Sequence, residues 1–569
     1  MRKVWKILYQ AKEKDQKQRL EEIIRVLLKH RNITRKQQRK DFFHPQEPGK
    51  IDLKETGIKA GETKKAVRRI KRAIKNKELI VVYGDYDADG ICATAVLWET
   101  LHKLGAKAFP FIPLREAHGY GIKEEGVKAL IQEYGQPGLI ITVDNGIVAF
   151  KGAEYCRKQK IDLIISDHHQ SKKQKLPEAV AVVHTDQLAG AGVAWFLARE
   201  IERTLLNQTN LVEENLELVA IGTIADMVPL VGVNRSLTVF GLIELQKTER
   251  PGLRALFTEA RIELDKINTY HVSFIVAPRL NAMGRLGQAL DSLRLVCTQD
   301  EQRAVRLAVD LGSTNKQRQN MTFTALKHAQ EAITSSQRIA SQRLLFIAHQ
   351  SYNQGVIGLV AGRLVERFWR PAIVIAQDKE FSKGSVRSIP GVDIIAFLRQ
   401  FEDEFVNLGG HPLAAGFTIE TVKIPLMQKK LEKLALKEIA EELLYPSLEI
   451  ECGIKLADIN QKFYQTLELF EPFGIGNKKP VFAGKQVQVV DWRVVGRDEN
   501  HLKMGVRENS EQEAGPILDA IYFNGAEKAK DLDLTQPVDV AFQIDENEWN
   551  GRKSLQLMIK DVISPERII

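Results

Sequence analysis

Three carboxylates at alternate positions, Asp85, Asp87 and Asp89, follow the apolar run LIVVY and meet Gly90 in the segment GDYDADG. A short β-branched run of this kind reads as a buried strand, so the acids are delivered together at a strand end. Carboxylates this close resist burial unless they share a cation, and a divalent metal is the compact way to supply one. Further segments offer matching ligands: Asp144 in TVDNG, Asp167, His168 and His169 in SDHH, and Asp226 inside the otherwise apolar VAIGTIADMVPL. Carboxylates mixed with imidazoles and no thiolates suit manganese or magnesium better than zinc. A pair of such ions activates water and stabilises the charge of a phosphodiester under attack. Metal-dependent phosphodiester hydrolysis is therefore the chemistry these residues could do.

Each element also has a plainer explanation. A DxDxDG segment opens a calcium-binding EF loop, but that loop needs Glu at its twelfth position, here Val96, and a helix rather than a strand before it. A single Asp after a strand commonly caps a helix, and a His pair alone is ambiguous. What distinguishes these residues is their coincidence at one sheet edge. In open parallel sheets, ligands bind beyond the carboxyl ends of the strands.

The elements that would position them follow from periodicity. Apolar runs at 79–83, 108–113, 139–143, 162–166 and 179–184 alternate with helical segments, which predicts a parallel sheet covered on both faces. Residues 193–248 and 286–340 read as mostly helical, and the Gln-, Arg- and Ala-rich part after Gly312 predicts a long connecting helix. A smaller α/β unit follows, with strands LLFIAH and PAIVIA, a helix over 355–368, and a Gly-rich stretch ending in LGGHPLAAGF. Beyond a helix at 425–443 the period becomes two in LEIECGIKL, KQVQVVDWRVV, LDAIYF, VDVAFQI and LQLMIKDV, with Asn550–Gly551 placed for a hairpin turn. This predicts a small β-barrel of OB-like type. The expected division is a basic helical extension over 1–60, a catalytic α/β domain over 61–310, the connecting helix over 311–340, a second α/β domain over 341–445, and the barrel over 446–569.

Composition bounds the rest. A chain of 569 residues exceeds one core, and no apolar run is long enough to span a membrane, so a cytoplasmic protein is expected. Cys92, Cys156, Cys297 and Cys452 form no CxxC pair, which excludes a zinc knuckle or a disulfide framework. Residues 1–50 hold 15 Lys and Arg against 6 Asp and Glu, leaving 67 of each in the remainder. The net +9 is therefore entirely in this segment, either an arm for a polyanion such as nucleic acid or a solvated helical face.

GDYDADG, TVDNG, SDHH and IADMVPL, in this order, resemble the successive motifs of the DHH phosphoesterases, named for Asp167, His168 and His169. FIPLREAHGYG, APRLNAMGR, GSVRS, GGHPLAAGF and EPFGIGN narrow the resemblance, over about residues 60–569, to the branch of single-strand-specific 5′→3′ exonucleases. Val81–Gly84 lacks the histidine that small-substrate members carry before the first aspartates, which favours the same branch. The resemblance implies a DHH domain, a DHHA1 domain and an OB-like barrel. It implies two Mn²⁺ or Mg²⁺ ions held by Asp85, Asp87, Asp144, His168 and Asp226, with His169 as ligand support or transition-state donor and Asp89 and Asp167 as supporting acids. Arg279, Asn281 and Arg285 would line the cleft near the metals and His411 would lie near the scissile phosphate. Arg115, Ser385 and Arg387 would receive a 5′-phosphate, and Gly409 and Gly410 would let backbone approach the substrate. Trp492, Tyr522, Phe523 and Trp549 are stacking candidates on the barrel. The implied role is recombination and repair, as a monomer working with a helicase and a single-strand-binding protein. The competing readings are a DHH phosphodiesterase for oligoribonucleotides or cyclic dinucleotides, which would not need the barrel, and a non-catalytic replication scaffold, which the full ligand set argues against.

Overall fold

The parallel sheet runs in the order Ala108–Phe111, Ile80–Tyr83, Leu139–Val143, Asp162–Asp167, Ala181–His184, with every neighbour parallel. The structure, a computed structural model, describes residues 3–12, 15–114, 117–171, 175–206, 214–335, 341–509, 515–530, 532–549 and 551–565. Because the sheet is covered on both faces, its strands are apolar throughout. Ile80 and Val82 enter one core with helices Ala88–Lys103 and Gly190–Leu206, while Val81 and Tyr83 enter another with helices Glu124–Tyr134 and Phe150–Lys158. The chain steps from Ile80–Tyr83 to one side and then returns to add Leu139–Val143 on the other. This reversal opens a crevice beyond the carboxyl ends of those two strands, where Asp85–Asp89 and Asp144 stand.

The connecting helix is longer than its sequence signature. It spans Glu301–Ser335, 35 residues, and begins ten positions before the expected boundary because Ala304, Ala308 and Leu311 already form its buried stripe. It packs on helices Pro251–Glu259 and Ala277–Leu286 at one end and on Ile357–Phe368 at the other. The second α/β unit has a mixed sheet in the order Asn407–His411, Ala414–Glu420, Phe381–Arg387, Ala372–Ala376, Leu345–His349, in which only the last pair is parallel. The Gly-rich stretch is therefore an antiparallel hairpin, and GSVRS lies at the end of a strand.

The C-terminal unit is a closed barrel. Phe482–Val495 pairs with His501–Glu508, which pairs with Leu518–Tyr522; that strand runs parallel to Arg552–Ile563, which returns through Val538–Trp549 to Phe482–Val495. The strand His501–Glu508 was not among the expected runs, because Gly505 interrupts an alternation that otherwise buries Leu502, Met504 and Val506. Asn550 lies outside the described residues, but Trp549 and Arg552 are paired across it.

The first 50 residues contain two helices, as expected, but do not form a free arm. Val4–Ile7 is a strand paired in parallel with Ser447–Ile450. Helix Gln16–His30 buries Ile23, Leu27 and Leu28, and helix Lys36–Phe43 buries Phe42, in the same core as the barrel residues Phe463, Phe482 and Phe542. Part of the basic excess is engaged internally: Arg19 pairs with the fully buried carboxylate of Asp458, and Arg31 with Glu451. The segment is thus a structural half of the barrel unit, explained by an apolar helix stripe that its charge conceals.

Candidate metal centre and cleft

The loop after Ile80–Tyr83 turns directly into a helix. Asp87 caps Ala88–Lys103 by accepting from Gly90 N at 3.0 Å, and Asp85 accepts from Tyr86 N at 2.8 Å. Asp89 uses both oxygens to hold the start of Gly190–Leu206, from Gly190 N at 2.7 Å and Ala191 N at 2.9 Å. Asp144 sits in the left-handed region at φ 60°, its amide tied to Ser166 O. Glycine is required around these acids: a Cβ on Gly190 would lie 2.5 Å from Asp144, and one on Gly222 would lie 2.4 Å from Asp89 Oδ1.

Side chains from four loops converge. His168 Nε2 is 3.1 Å from Asp144 Oδ1 and 3.9 Å from Asp89 Oδ2, and its Nδ1 is 3.6 Å from Asp226 Oδ2. Among the described residues, three groups have ligand atoms within 4.8 Å of one another: Asp85, Asp87 and Asp144; Asp89, His168 and Asp226; and Asp144, His168 and His169. Asp144 Oδ1 and His168 Nε2 are both buried and neither makes a hydrogen bond. Two orphaned atoms pointing at one place, one a carboxyl oxygen and one a lone-pair nitrogen, are what a cation site presents.

Electrostatics agree. Burial and the adjacent Asp87 push Asp85 up to about 8, and burial with Asp87 pushes Asp226 up to about 7. Asp89 and Asp144 are driven well above the carboxylate range, by burial first and then by neighbouring aspartates. His168 falls to about 4, chiefly through burial and then through His169, so it is neutral and able to ligate. Burial opposes charge on His169, yet its hydrogen bond to Asp167 and that carboxylate's charge lift it to about 9. Asp167 is held below its usual range despite burial, because His169 and backbone amides bond to it. Divalent cations would remove the cost of the clustered negative charge, and the carboxylate–imidazole set fits Mn²⁺ or Mg²⁺.

His169 has both ring nitrogens engaged, Nδ1 with Asp167 Oδ1 at 2.7 Å and Nε2 with the Tyr120 hydroxyl at 2.8 Å. Asp167 also accepts from the amides of Ile147, His168 and His169. It therefore shapes the loop and has no oxygen to spare. Tyr120 escaped the sequence reading although it lies within FIPLREAHGYG; its role depends on a contact across 49 positions that no local pattern shows.

A cleft of about 870 Å³ runs from the acids to the second α/β unit, lined by Asp87, Arg285, Gly355, Ser385, Arg387 and Gly409 among others. On helix Ala277–Leu286, Asn281 and Arg285 are four positions apart and share a face. Asn281 accepts from Ala88 N at 2.7 Å and Arg285 enters the cleft. Arg279 does not line it. Two positions before Asn281, it points elsewhere and pairs with Glu259 at 2.7 Å. Ser385 and Arg387 alternate on one face of Phe381–Arg387, against the first turn of Ile357–Phe368, where a Cβ on Gly358 would meet Ser385 Oγ at 3.0 Å and Arg387 Nη2 at 3.2 Å. Gly409 faces open space, whereas Gly410 is needed by its own hairpin: a Cβ there would meet Ala414 O at 2.3 Å. His411 ends the exposed edge strand, outside the cleft lining. Arg115 lies outside the described residues, as does the side chain of Trp549. On the barrel, Trp492 and Phe523 are half exposed, while Tyr522 packs on the core.

Comparison with known proteins covers the whole architecture. Family models described as the DHH family N-terminal domain, the DHHA1 domain and the RecJ OB domain match residues 79–223, 337–441 and 450–561. The single-stranded-DNA-specific exonuclease RecJ of Bacillus subtilis is 38% identical over 516 residues, 88% of this chain and 63% of that protein, so the chain spans less than two thirds of that relative's length. The same-named protein of Escherichia coli is 32% identical over 527 residues, 88% of this chain and 89% of that one. A crystal structure of RecJ in complex with Mn²⁺ from Thermus thermophilus superposes with a TM-score of 0.82 at 27% identity, over 100% of this chain and 80% of that chain. A structure of that organism's RecJ with Mg²⁺ superposes with a TM-score of 0.74 at 26% identity, over 99% and 79% of the two chains. The structural match takes in the basic first 50 residues, which the motifs alone had left outside. With its three matched domains in order and its metal-type cluster at the sheet's switch point, this chain belongs to the RecJ family.

Proposed function

We propose that the protein is a single-stranded-DNA-specific exonuclease that degrades from the 5′ end and releases 5′-mononucleotides. The observation that carries this reading is the cleft joining Asp87 and Arg285 to Ser385, Arg387 and Gly409. Such a cleft would fix one chain end at a set distance from the acid cluster, which is what stepwise removal of nucleotides requires.

Asp85, Asp87, Asp144, His168 and Asp226 would hold two ions, Mn²⁺ or Mg²⁺. Bound there, the ions would supply Lewis acidity and an activated water. The remaining work falls to the chain. Asp89 and Asp167 hold the loops through backbone amides. His169, charged at neutral pH and held by Asp167 through Nδ1, would donate to a phosphate oxygen through Nε2 only by giving up its hydrogen bond to the Tyr120 hydroxyl. Arg285 would neutralise the phosphodiester from the other wall. Arg387 and Ser385, beside the N-terminal turn of Ile357–Phe368, form a setting suited to a terminal phosphate. The half-exposed Trp492 and Phe523 would stack bases beyond the cleft. Cooperation with a helicase and a single-strand-binding protein in recombination and repair, in the cytoplasm and as a monomer, completes the reading; among the described residues no helix is long and apolar enough to cross a membrane.

The test is digestion of single-stranded and duplex DNA labelled at either end, with Mn²⁺ or Mg²⁺. Mononucleotides should appear first from the 5′ label and on single strands alone. Release from the 3′ label, or equal cleavage of blunt duplex, would refute the proposal.

A further inference from the structure

The motif EPFGIGN, residues 471–477, lies outside the cleft, yet it meets the loop that carries Asp226. That loop leaves helix Leu216–Ala225 at Asp226, turns at Met227 with φ 59°, and passes Pro229 and Leu230 before helix Gly232–Gln246 begins. Leu230 N donates to Ile475 O at 2.7 Å. A Cβ on Gly474 would meet Leu230 Cδ1 at 2.6 Å, and one on Gly476 would meet Pro229 Cβ at 2.9 Å, so the motif's backbone rests directly on the loop.

The motif is itself stiff. Asn477, fully buried, donates to Phe470 O at 2.6 Å and Pro472 O at 3.0 Å and accepts from Arg31 Nε at 2.6 Å. Arg235, on the helix after the loop, donates to the carbonyls of Leu469, Phe470 and Glu471 and to that of Phe42. Asp226 needs such support more than its companions do. Its side chain is 27% exposed, against 3% for Asp144, and the Met227 that follows it is 68% exposed.

We infer that residues 470–477 are a positioning element for Asp226: by seating Pro229 and Leu230 they fix the reach of this carboxylate toward His168, and so couple the docking of the barrel unit to the affinity of one metal position. The inference rests on the reading of Asp226 as a metal ligand. Supports of this kind typically govern metal affinity by about 10- to 100-fold.

The test is calorimetric titration of the full chain with Mn²⁺ in the absence of DNA. Gly474 has no left-handed backbone to strain, so Gly474→Ala acts as a wedge against Leu230. It should weaken one of two Mn²⁺ sites about tenfold and leave the other unchanged, and Leu230→Val in the same chain should restore it. Asp226→Asn should abolish that same site. If Asp226→Asn removes a site while Gly474→Ala leaves both affinities unchanged, the positioning role is overturned. If Asp226→Asn leaves both sites intact, the ligand assignment beneath it fails instead. Should Gly474→Ala not fold, Arg235→Lys loosens Leu469–Glu471 from the opposite side; an unchanged titration there likewise overturns the inference.

Discussion

Metal binding to this protein should expel protons, by an amount that the carboxylate cluster sets. Without metal, Asp85 titrates at about 8 and Asp226 at about 7. At pH 7 they then carry about 0.9 and 0.5 of a proton, roughly 1.4 together, which falls to about 0.1 at pH 9. His168, titrating at about 4, contributes nothing in this range. From Asp85 and Asp226 together, saturating the site with Mn²⁺ should release about 1.3 protons more at pH 7 than at pH 9. Calorimetry in two buffers of different ionisation enthalpy reads this directly. The stability consequence has a definite sign: raised carboxyl groups stabilise the metal-free fold fully below about pH 4, and that contribution is lost progressively from there until pH passes about 7 and 8. The gain in melting temperature from Mn²⁺ over chelator should therefore grow from pH 5 to pH 8. Proton release that is the same at pH 7 and 9, together with a pH-independent thermal gain, would refute the picture of clustered, protonated ligands.

Other perturbations test other parts. Asp144→Ala or His168→Ala should abolish metal-dependent cleavage with the circular dichroism spectrum unchanged; near-normal rates in manganese would remove these residues from the site. Arg387→Ala should cut the preference for a 5′-phosphate over a 5′-hydroxyl end by about 10- to 100-fold, the worth of one charge-assisted hydrogen bond of about 1.5–3 kcal/mol, measured as a ratio of kcat/KM values. Phe42→Ala removes a ring that packs on Phe43 and Phe470 beneath the Arg235 guanidinium, and should cost about 3–5 kcal/mol in urea unfolding. A loss below about 1 kcal/mol would mean that the first segment is only loosely held.

The catalytic half was legible because its signals are local. Each strand of the sheet is a short apolar run, and Asp85, Asp144 and His168 each sit within a few residues of a strand end, whereas Asp226 ends a helix and showed itself only as an acid in an apolar run. Relations across long separations were not legible. Arg279 and Arg285 share one motif, but only the helix phase and the distant Glu259 separate a structural ion pair from a cleft residue. Gly409 and Gly410 are adjacent and look equivalent; the hairpin register gives the second a packing duty and leaves the first open to the cleft. The basic segment misled most, since charge hid the stripe of Ile23, Leu27 and Phe42, and its partners lie at the far end of the chain.

That last arrangement governs how the molecule can be made. Arg19 and Asp458 are 439 positions apart, yet they bond at the edge of one shared core. A ribosome adding about 5–20 residues per second would need roughly 20–90 s to deliver the second after the first. Throughout that interval the C-terminal side of the core that helix Gln16–His30 enters is missing, while the parallel sheet, whose strands all lie between residues 80 and 184, can already close. The nascent chain would thus hold a finished metal-binding domain beside an unsatisfied amphipathic helix. Synthesis of the barrel ends the exposure, and the order of the strands makes the opening segment among the last to find its place.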